Sequence, residues 1–197
     1  MSAPRFAYPV TLDVRGKRAV VIGRDAVAAG KAGALVAAGA DVIVRDELRP
    51  DDLDGTFLCV ASSPDPGVRR SIFEACRERG VLVNVMDDPP HCDFAAPALI
   101  RRGDLAIAVS TGGRSPALAR RIREDLERRF GEEWAEIADL LGEVRAQTLP
   151  DLPDLGERSR RWQAALDAVD VEGLVREGRR AEARTALIER LEEARER

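Results

Sequence analysis

Apolar runs alternate with stretches of helical period along most of this chain. RAVVIG at 18–23 is apolar after its arginine and ends in glycine. That is the pattern of a strand buried on both faces of a parallel sheet. DVIVRD at 41–46, TFLCVASS at 56–63 and VLVNVM at 81–86 repeat it, and DLAIAVST at 104–111 reads as a fifth strand. Between the first two runs, DAVAAGKAGALVAAGA reads as an Ala-rich helix with Gly39 near its carboxyl end. Residues 65–80 carry a second helix, with Val68, Ile72, Phe73 and Cys76 on one face. Ahead of all this, Tyr8 to Leu12 form a short extended piece and Arg15, Gly16 and Lys17 a turn. Strands alternating with helices predict an α/β, Rossmann-like, doubly wound parallel sheet.

Beyond Pro116 the period becomes helical throughout. Leu118, Ile122 and Leu126 recur every four residues, and Trp134, Ile137, Leu140 and Leu141 mark a further helix. TLPDLPDLG at 148–156 holds two prolines and reads as a linker. Residues 157–197 are charged and helical, with a narrow apolar stripe from Leu174, Val175, Leu187, Ile188 and Leu191. The expected organisation is a Rossmann-like domain at 1–112, a helical region at 113–148 and a helical carboxyl-terminal domain at 149–197.

Composition narrows the function classes. A length of 197 residues holds one full domain and a smaller one. Aromatics make up only 4%, so Val, Leu, Ile and Ala must fill the core. A net charge of -4 with interspersed signs excludes a nucleic-acid polyanion as the main partner. No apolar stretch approaches the roughly 18 residues of a membrane span, and MSAPRFAYPV lacks the order of a signal peptide. Cys59, Cys76 and Cys92 form no CxxC pair, which points to a reducing, cytoplasmic setting rather than a disulfide framework.

The first strand ends in a nucleotide-binding context. Gly23, Arg24, Asp25, Ala26, Val27 and Ala28 fill the six places of GxGxxA, but the middle glycine is Asp25. That glycine normally lets backbone approach a pyrophosphate. Asp25 has two readings: a crowded, repelling phosphate site, or a cap that satisfies the free N–H groups of the helix. Arg24 offers a guanidinium for phosphate. Asp46, with Glu47 after it, closes the second strand at the spacing of a ribose-binding acid. Ser62 closes the third. The 47–55 connection is too short for a crossover helix.

The densest chemistry lies at 81–126. The fourth run ends on Asp87 and Asp88, followed by a proline-rich loop with His91 and Cys92. Ligands of open α/β sheets sit beyond the carboxyl ends of strands, where these acids fall. His91 and Cys92 are two ligands at most, so no closed metal site is expected. Ser110, Thr111, Gly112, Gly113, Arg114, Ser115 and Pro116 then open a helix bearing Arg120, Arg121 and Arg123. Such a start attracts carboxylates, or else is only a capped helix with a solvated basic face.

These residues resemble the siroheme-synthase type of precorrin-2 dehydrogenase/sirohydrochlorin chelatase. Asn84, Val85, Met86, Asp87, Asp88 and Pro89 match its Asn-Val-Val-Asp-Asp-Pro strand end, and Phe94 and Pro97 its Phe-x-x-Pro. Ser110, Thr111, Gly112, Gly113, Ser115 and Pro116, with Ala119, Arg120 and Arg123, match its Ser-Thr-Gly-Gly-x-Ser-Pro and Ala-Arg-x-x-Arg. The likeness departs at the family's Gly-Gly-Gly-x-Val-Ala-x-Arg-Lys, kept only at Gly23, Val27, Ala28 and Lys31. Ser62, Ser63 and Pro64 stand in its Ala-Thr-Asp-Asp, and the 47–55 connection is shorter.

The resemblance implies NAD-dependent oxidation of precorrin-2 to sirohydrochlorin, with Asp87 as the catalytic carboxylate and Fe²⁺ or Co²⁺ as a metal to be inserted. It places the cofactor at Gly23, Arg24, Asp25, Ala26, Val27, Asp46, Glu47 and Ser62. It places the tetrapyrrole carboxylates at Asn84, Thr111, Gly112, Gly113, Ser115 and Arg120, and makes 113–148 a homodimerisation region. An NAD-independent chelatase or tetrapyrrole-binding paralogue is the alternative that the altered glycine motif leaves open, and a non-catalytic dimeric regulator is a third. The methyltransferase half of siroheme synthase has no counterpart in the sequence, so methylation is not expected.

Overall fold

The computed structural model describes residues 6–193. The signal-peptide reading of 1–10 and the helical reading of 157–197 fall partly outside them. Contacts divide the chain into two units, one of residues up to Ala96 with Thr111–Ser115, the other of Pro97–Ser110 and Pro116 onward.

The first unit is a four-stranded parallel sheet, β1 (Arg18–Ile22), β2 (Asp41–Arg45), β3 (Thr56–Ala61) and β4 (Leu82–Val85), in the order β2-β1-β3-β4. Alternation along β1 builds both layers. Val20 and Ile22 enter a core with Cys59, Ala61, Val83, Val85 and helix α2 (Pro66–Glu78). Ala19 and Val21 enter another with Leu58, Val60 and helix α1 (Ala26–Ala37). Successive side chains of a strand point to opposite faces, so a continuous apolar run needs both covers. Gly39, at φ +84, ends α1, where a Cβ would come within 3.0 Å of Arg15 Cγ. All three cysteines are free and buried.

The short 47–55 connection holds a single 3-10 turn, Pro50–Leu53, in place of a crossover helix. Leu53 enters the α2-side core, and the buried Asp52 accepts from the Arg49 N–H and Arg45 Nε, both at 3.0 Å.

The expected fifth parallel strand is not in this sheet. β5 (Ala98–Arg102) and β6 (Leu105–Val109) pair antiparallel as a separate hairpin, turning at Gly103 with φ +55. The outer edge of β4 is already covered by its own following loop. Asn84 bridges Cys92, the Asp93 N–H donates to Val83 O at 2.7 Å, and the Val83 N–H donates to Asp93 Oδ2 at 3.1 Å. An edge so covered offers no template for another strand.

The second unit holds this hairpin and helices α3 (Pro116–Arg129), α4 (Glu133–Thr148), α5 (Leu155–Ala168), α6 (Val171–Arg176) and α7 (Arg180–Glu193). Ile137, Leu140 and Val144 of α4 share one core with Ala165, Val171, Val175, Ala183, Leu187 and Leu191. Arg161 is drawn into it, donating to Leu191 O at 3.2 Å and pairing with Glu157. The narrow stripe of the charged segment is therefore core. Among the described residues no helix is long and apolar enough to cross a membrane.

Candidate functional site

The carboxyl edge of the parallel sheet gathers most of the expected residues. Gly23 leaves β1 at φ +131, and a Cβ there would lie 3.0 Å from both Ser62 Cβ and Ser62 O. Only glycine fits this close approach of the first turn to the end of β3. Asp25 then caps α1. Its Oδ1 accepts from the Ala28 N–H at 2.7 Å, and its Oδ2 accepts from the Ser62 hydroxyl. The Ser62 hydroxyl and the Ala28 N–H hold the Asp25 carboxyl below the usual carboxylate range. Ala26 and Val27 form the first helical turn, with Val27 57% exposed.

At the end of β2, Asp46 pairs with Arg24, and this contact keeps the Asp46 carboxyl ionised below its ordinary range. Both side chains are exposed, so the pair adds little stability. Arg24, Asp46, Glu47, Leu48 and Arg49 line an open cavity of about 560 Å³. Arg24, Asp46 and Glu47 thus meet at the end of β2, while Gly23 and Ser62 meet where β1 and β3 end. The α1 N-terminus, where a diphosphate would be met, is held by Asp25.

Across the sheet, Asp87 follows β4 in left-handed backbone, φ +58, with its side chain exposed. It has no hydrogen bond or ion pair among the described residues. Asp88 is not a free second acid beside it. Asp88 Oδ2 lies 3.0 Å from His91 Nδ1 and 3.1 Å from Arg69 Nε. His91 and then Arg69 lower the Asp88 pKa. Arg69 comes from α2, and nothing in its spacing from Asp88 signalled the contact. Asn84 anchors the loop beyond Asp88, donating to Phe94 O at 2.8 Å. Cys92 donates to Val85 O at 3.1 Å, so its thiol is tied to the strand it follows.

Thr111, Gly112, Gly113 and Ser115 belong to the same unit. Gly112 and Gly113 take φ of +62 and +80. The Thr111 hydroxyl accepts from the Ser115 N–H at 3.0 Å and donates to Ser115 O at 3.1 Å. The loop is a closed turn delivering Pro116 to α3. Arg120 lies in the other unit, on the exposed face of α3, and pairs with Glu124 at 2.9 Å. Arg123 pairs with Glu127 at 2.6 Å. The basic face of α3 is thus largely matched by acids one turn on.

Among the described residues no three His, Cys, Asp or Glu side chains group as metal ligands. A separate cavity of about 470 Å³ lies between α4 and α5, with Leu141, Leu155 and Trp162 in its wall, and contains none of the expected site residues.

Two families match along the chain. One, described as "Putative NAD(P)-binding", matches residues 10–98, and the other, "Sirohaem biosynthesis protein central", matches 102–129. Siroheme synthase 1 of Serratia proteamaculans is 33% identical over 94% of the chain and 43% of that protein. Siroheme synthase 1 of Halorhodospira halophila is 34% identical over the same shares. The chain therefore spans less than half the length of these curated relatives. A solved structure titled "SirC, precorrin-2 dehydrogenase" superposes with a TM-score of 0.68 at 22% identity, covering 94% of this chain and 99% of that one, and shares the fold.

Proposed function

The chain belongs to the siroheme-synthase N-terminal type of precorrin-2 dehydrogenase/sirohydrochlorin ferrochelatase family, and on that premise we propose that it oxidises precorrin-2 to sirohydrochlorin with NAD. The observation that carries the reading is Asp87, an exposed carboxylate without a protein partner among the described residues, held at the carboxyl end of a parallel strand. The dinucleotide, when bound, supplies the hydride acceptor. Arg24, Asp46 and Glu47 would hold its adenosine end, with Asp46 on the ribose, and Gly23 and Ser62 would stand beside its diphosphate. Asp87 accepts the proton that leaves the reduced macrocycle as hydride departs. Asn84 fixes the loop beside it, and Thr111, Gly112, Gly113 and Ser115 are the turn proposed to face substrate carboxylates. Arg120, once released from Glu124, is the further residue proposed for carboxylate binding.

Metal insertion by the same site is part of the proposal, with Fe²⁺ or Co²⁺ as substrate and Asp87 taking the pyrrole N–H protons. The capped α1 N-terminus supports a second reading, a chelatase or tetrapyrrole binder that does without the dinucleotide. Leu118 and Ile122 of α3 are 49% and 36% exposed, which supports a homodimer through that helix. Three free, buried thiols support a cytoplasmic setting.

The test is anaerobic turnover of precorrin-2 with NAD⁺, read as NADH formed together with sirohydrochlorin. Equal yields of the two are expected. Fe²⁺ insertion into sirohydrochlorin with no NAD⁺-dependent oxidation would replace the first reading with the second. A monomer of 21.5 kDa in sedimentation would remove the dimer.

A further inference from the structure

The α1 N-terminus already holds an anion, and the anion is part of the chain. One oxygen of Asp25 takes the Ala28 N–H, and the other takes the hydroxyl of Ser62, from the end of a different strand. The caps of α2, α5 and α6 differ. Asp65, Asp154 and Asp170 accept only from backbone N–H groups of the helices they open. Capping alone therefore does not require the second tie. A carboxylate bound by a helix N–H and a hydroxyl occupies the donors that a phosphate oxygen would use. It also brings a negative charge to the point where the dinucleotide's own charges must come.

We propose that Asp25 is an internal competitor for the dinucleotide diphosphate, and that the cofactor engages α1 only after Asp25 swings away from Ala28 and Ser62. The inference rests on the reading of this edge as an NAD site. Two consequences follow from the geometry. Dinucleotide affinity is lowered by the fraction of molecules in which the latch is closed. Ligands that lack phosphate escape the competition, because the cavity at Arg24, Asp46 and Arg49 lies on the β2 side of the latch. The freed carboxylate has the exposed Arg24 as its neighbour in sequence, so release does not strand a buried charge. The lowered pKa of Asp25 keeps the latch charged at neutral pH, so opening is by displacement rather than by protonation.

Calorimetric titration of NAD⁺ and of adenosine into the wild-type chain, Asp25→Gly and Asp25→Asn tests this. Asp25→Gly removes charge and bulk together. Asp25→Asn keeps a capping oxygen and removes only the charge, which guards against a fold lost with the cap. NAD⁺ is expected to bind about tenfold tighter to Asp25→Gly and about threefold tighter to Asp25→Asn, with adenosine unchanged in all three. NAD⁺ binding to wild type but no tighter to either variant overturns the latch and leaves the cofactor reading standing. Absence of NAD⁺ binding in all three overturns both.

Discussion

Asp25 and Asp87 both follow a strand of one parallel sheet, and both lie where such sheets bind ligands. Asp25 sits in extended backbone, φ -77 and ψ 167, with both carboxylate oxygens taken by the chain. Asp87 sits in left-handed backbone with its carboxylate directed to no protein partner among the described residues. At β1 the local conformation costs nothing and the side chain is used up in holding the fold. At β4 the conformation is strained and the side chain is left available. Strain at a strand end persists only where its surroundings impose it, and here the loop tied to Val83 and Val85 by Asp93 and Cys92 does so. A carboxylate tied into the fold and one left without a protein partner among the described residues can thus be told apart, although the sequence shows only an Asp after an apolar run in each case.

The comparison breaks most sharply at Asp87. Asp87→Asn is expected to lower kcat for precorrin-2 oxidation by about a hundred- to ten-thousandfold, the range of a lost general base. NAD⁺ affinity should stay at the wild-type value. Asp87→Gly should be equally inactive yet more stable by about 0.5–1 kcal/mol, because glycine takes φ +58 without steric cost. Inactivity with a raised Tm is the signature sought; a variant that turns over normally would remove Asp87 from the chemistry.

Next in size is Gly23→Ala, at the start of the other edge. Its Cβ would stand 3.0 Å from Ser62, in backbone that L residues avoid. A loss of about 2–3 kcal/mol in urea unfolding is expected, from overpacking and backbone strain together. An unchanged unfolding midpoint would show that β1 and β3 part more easily than the structure implies.

Acid titration then compares the bound carboxylates. Asp25 and Asp88 are both held below the ordinary carboxylate range, Asp25 by Ser62 and Ala28, and Asp88 by His91 and Arg69. A group with a depressed folded pKa contributes stability that is present above its unfolded pKa. That contribution is lost as pH falls through the folded one. Unfolding free energy should therefore decline below about pH 4, and Asp88→Asn should flatten the decline. A parallel decline in that variant would mean that Arg69 and His91 do not bind Asp88 in solution.

The smallest effect belongs to the exposed face of α3. Arg120→Ala breaks a solvated pair with Glu124 and should change stability by no more than about 0.5 kcal/mol. Its effect on KM for the tetrapyrrole is the informative reading. An unchanged KM would assign Arg120 to the surface alone.

The sequence by itself determined the doubly wound sheet, because continuous apolar runs such as those of β1 and β3 are stable only with cover on both faces. It also located Gly23, Asp46 and Asp87 at strand ends, since an apolar run must stop where the chain leaves the core. It gave no means of separating the fates of Asp25 and Asp87, because each depends on a residue distant in the chain, or on having none. The partner of Asp25 comes from the end of β3, and the Arg69 that engages Asp88 comes from α2. Nor did it show that LAIAV at 105–109 pairs antiparallel with 98–102. Strand period is the same in both arrangements, and only the loop folded back along β4 closed that edge of the sheet. Local pattern fixes which residues must be buried, while side-chain ties across the chain decide which polar groups remain free to react.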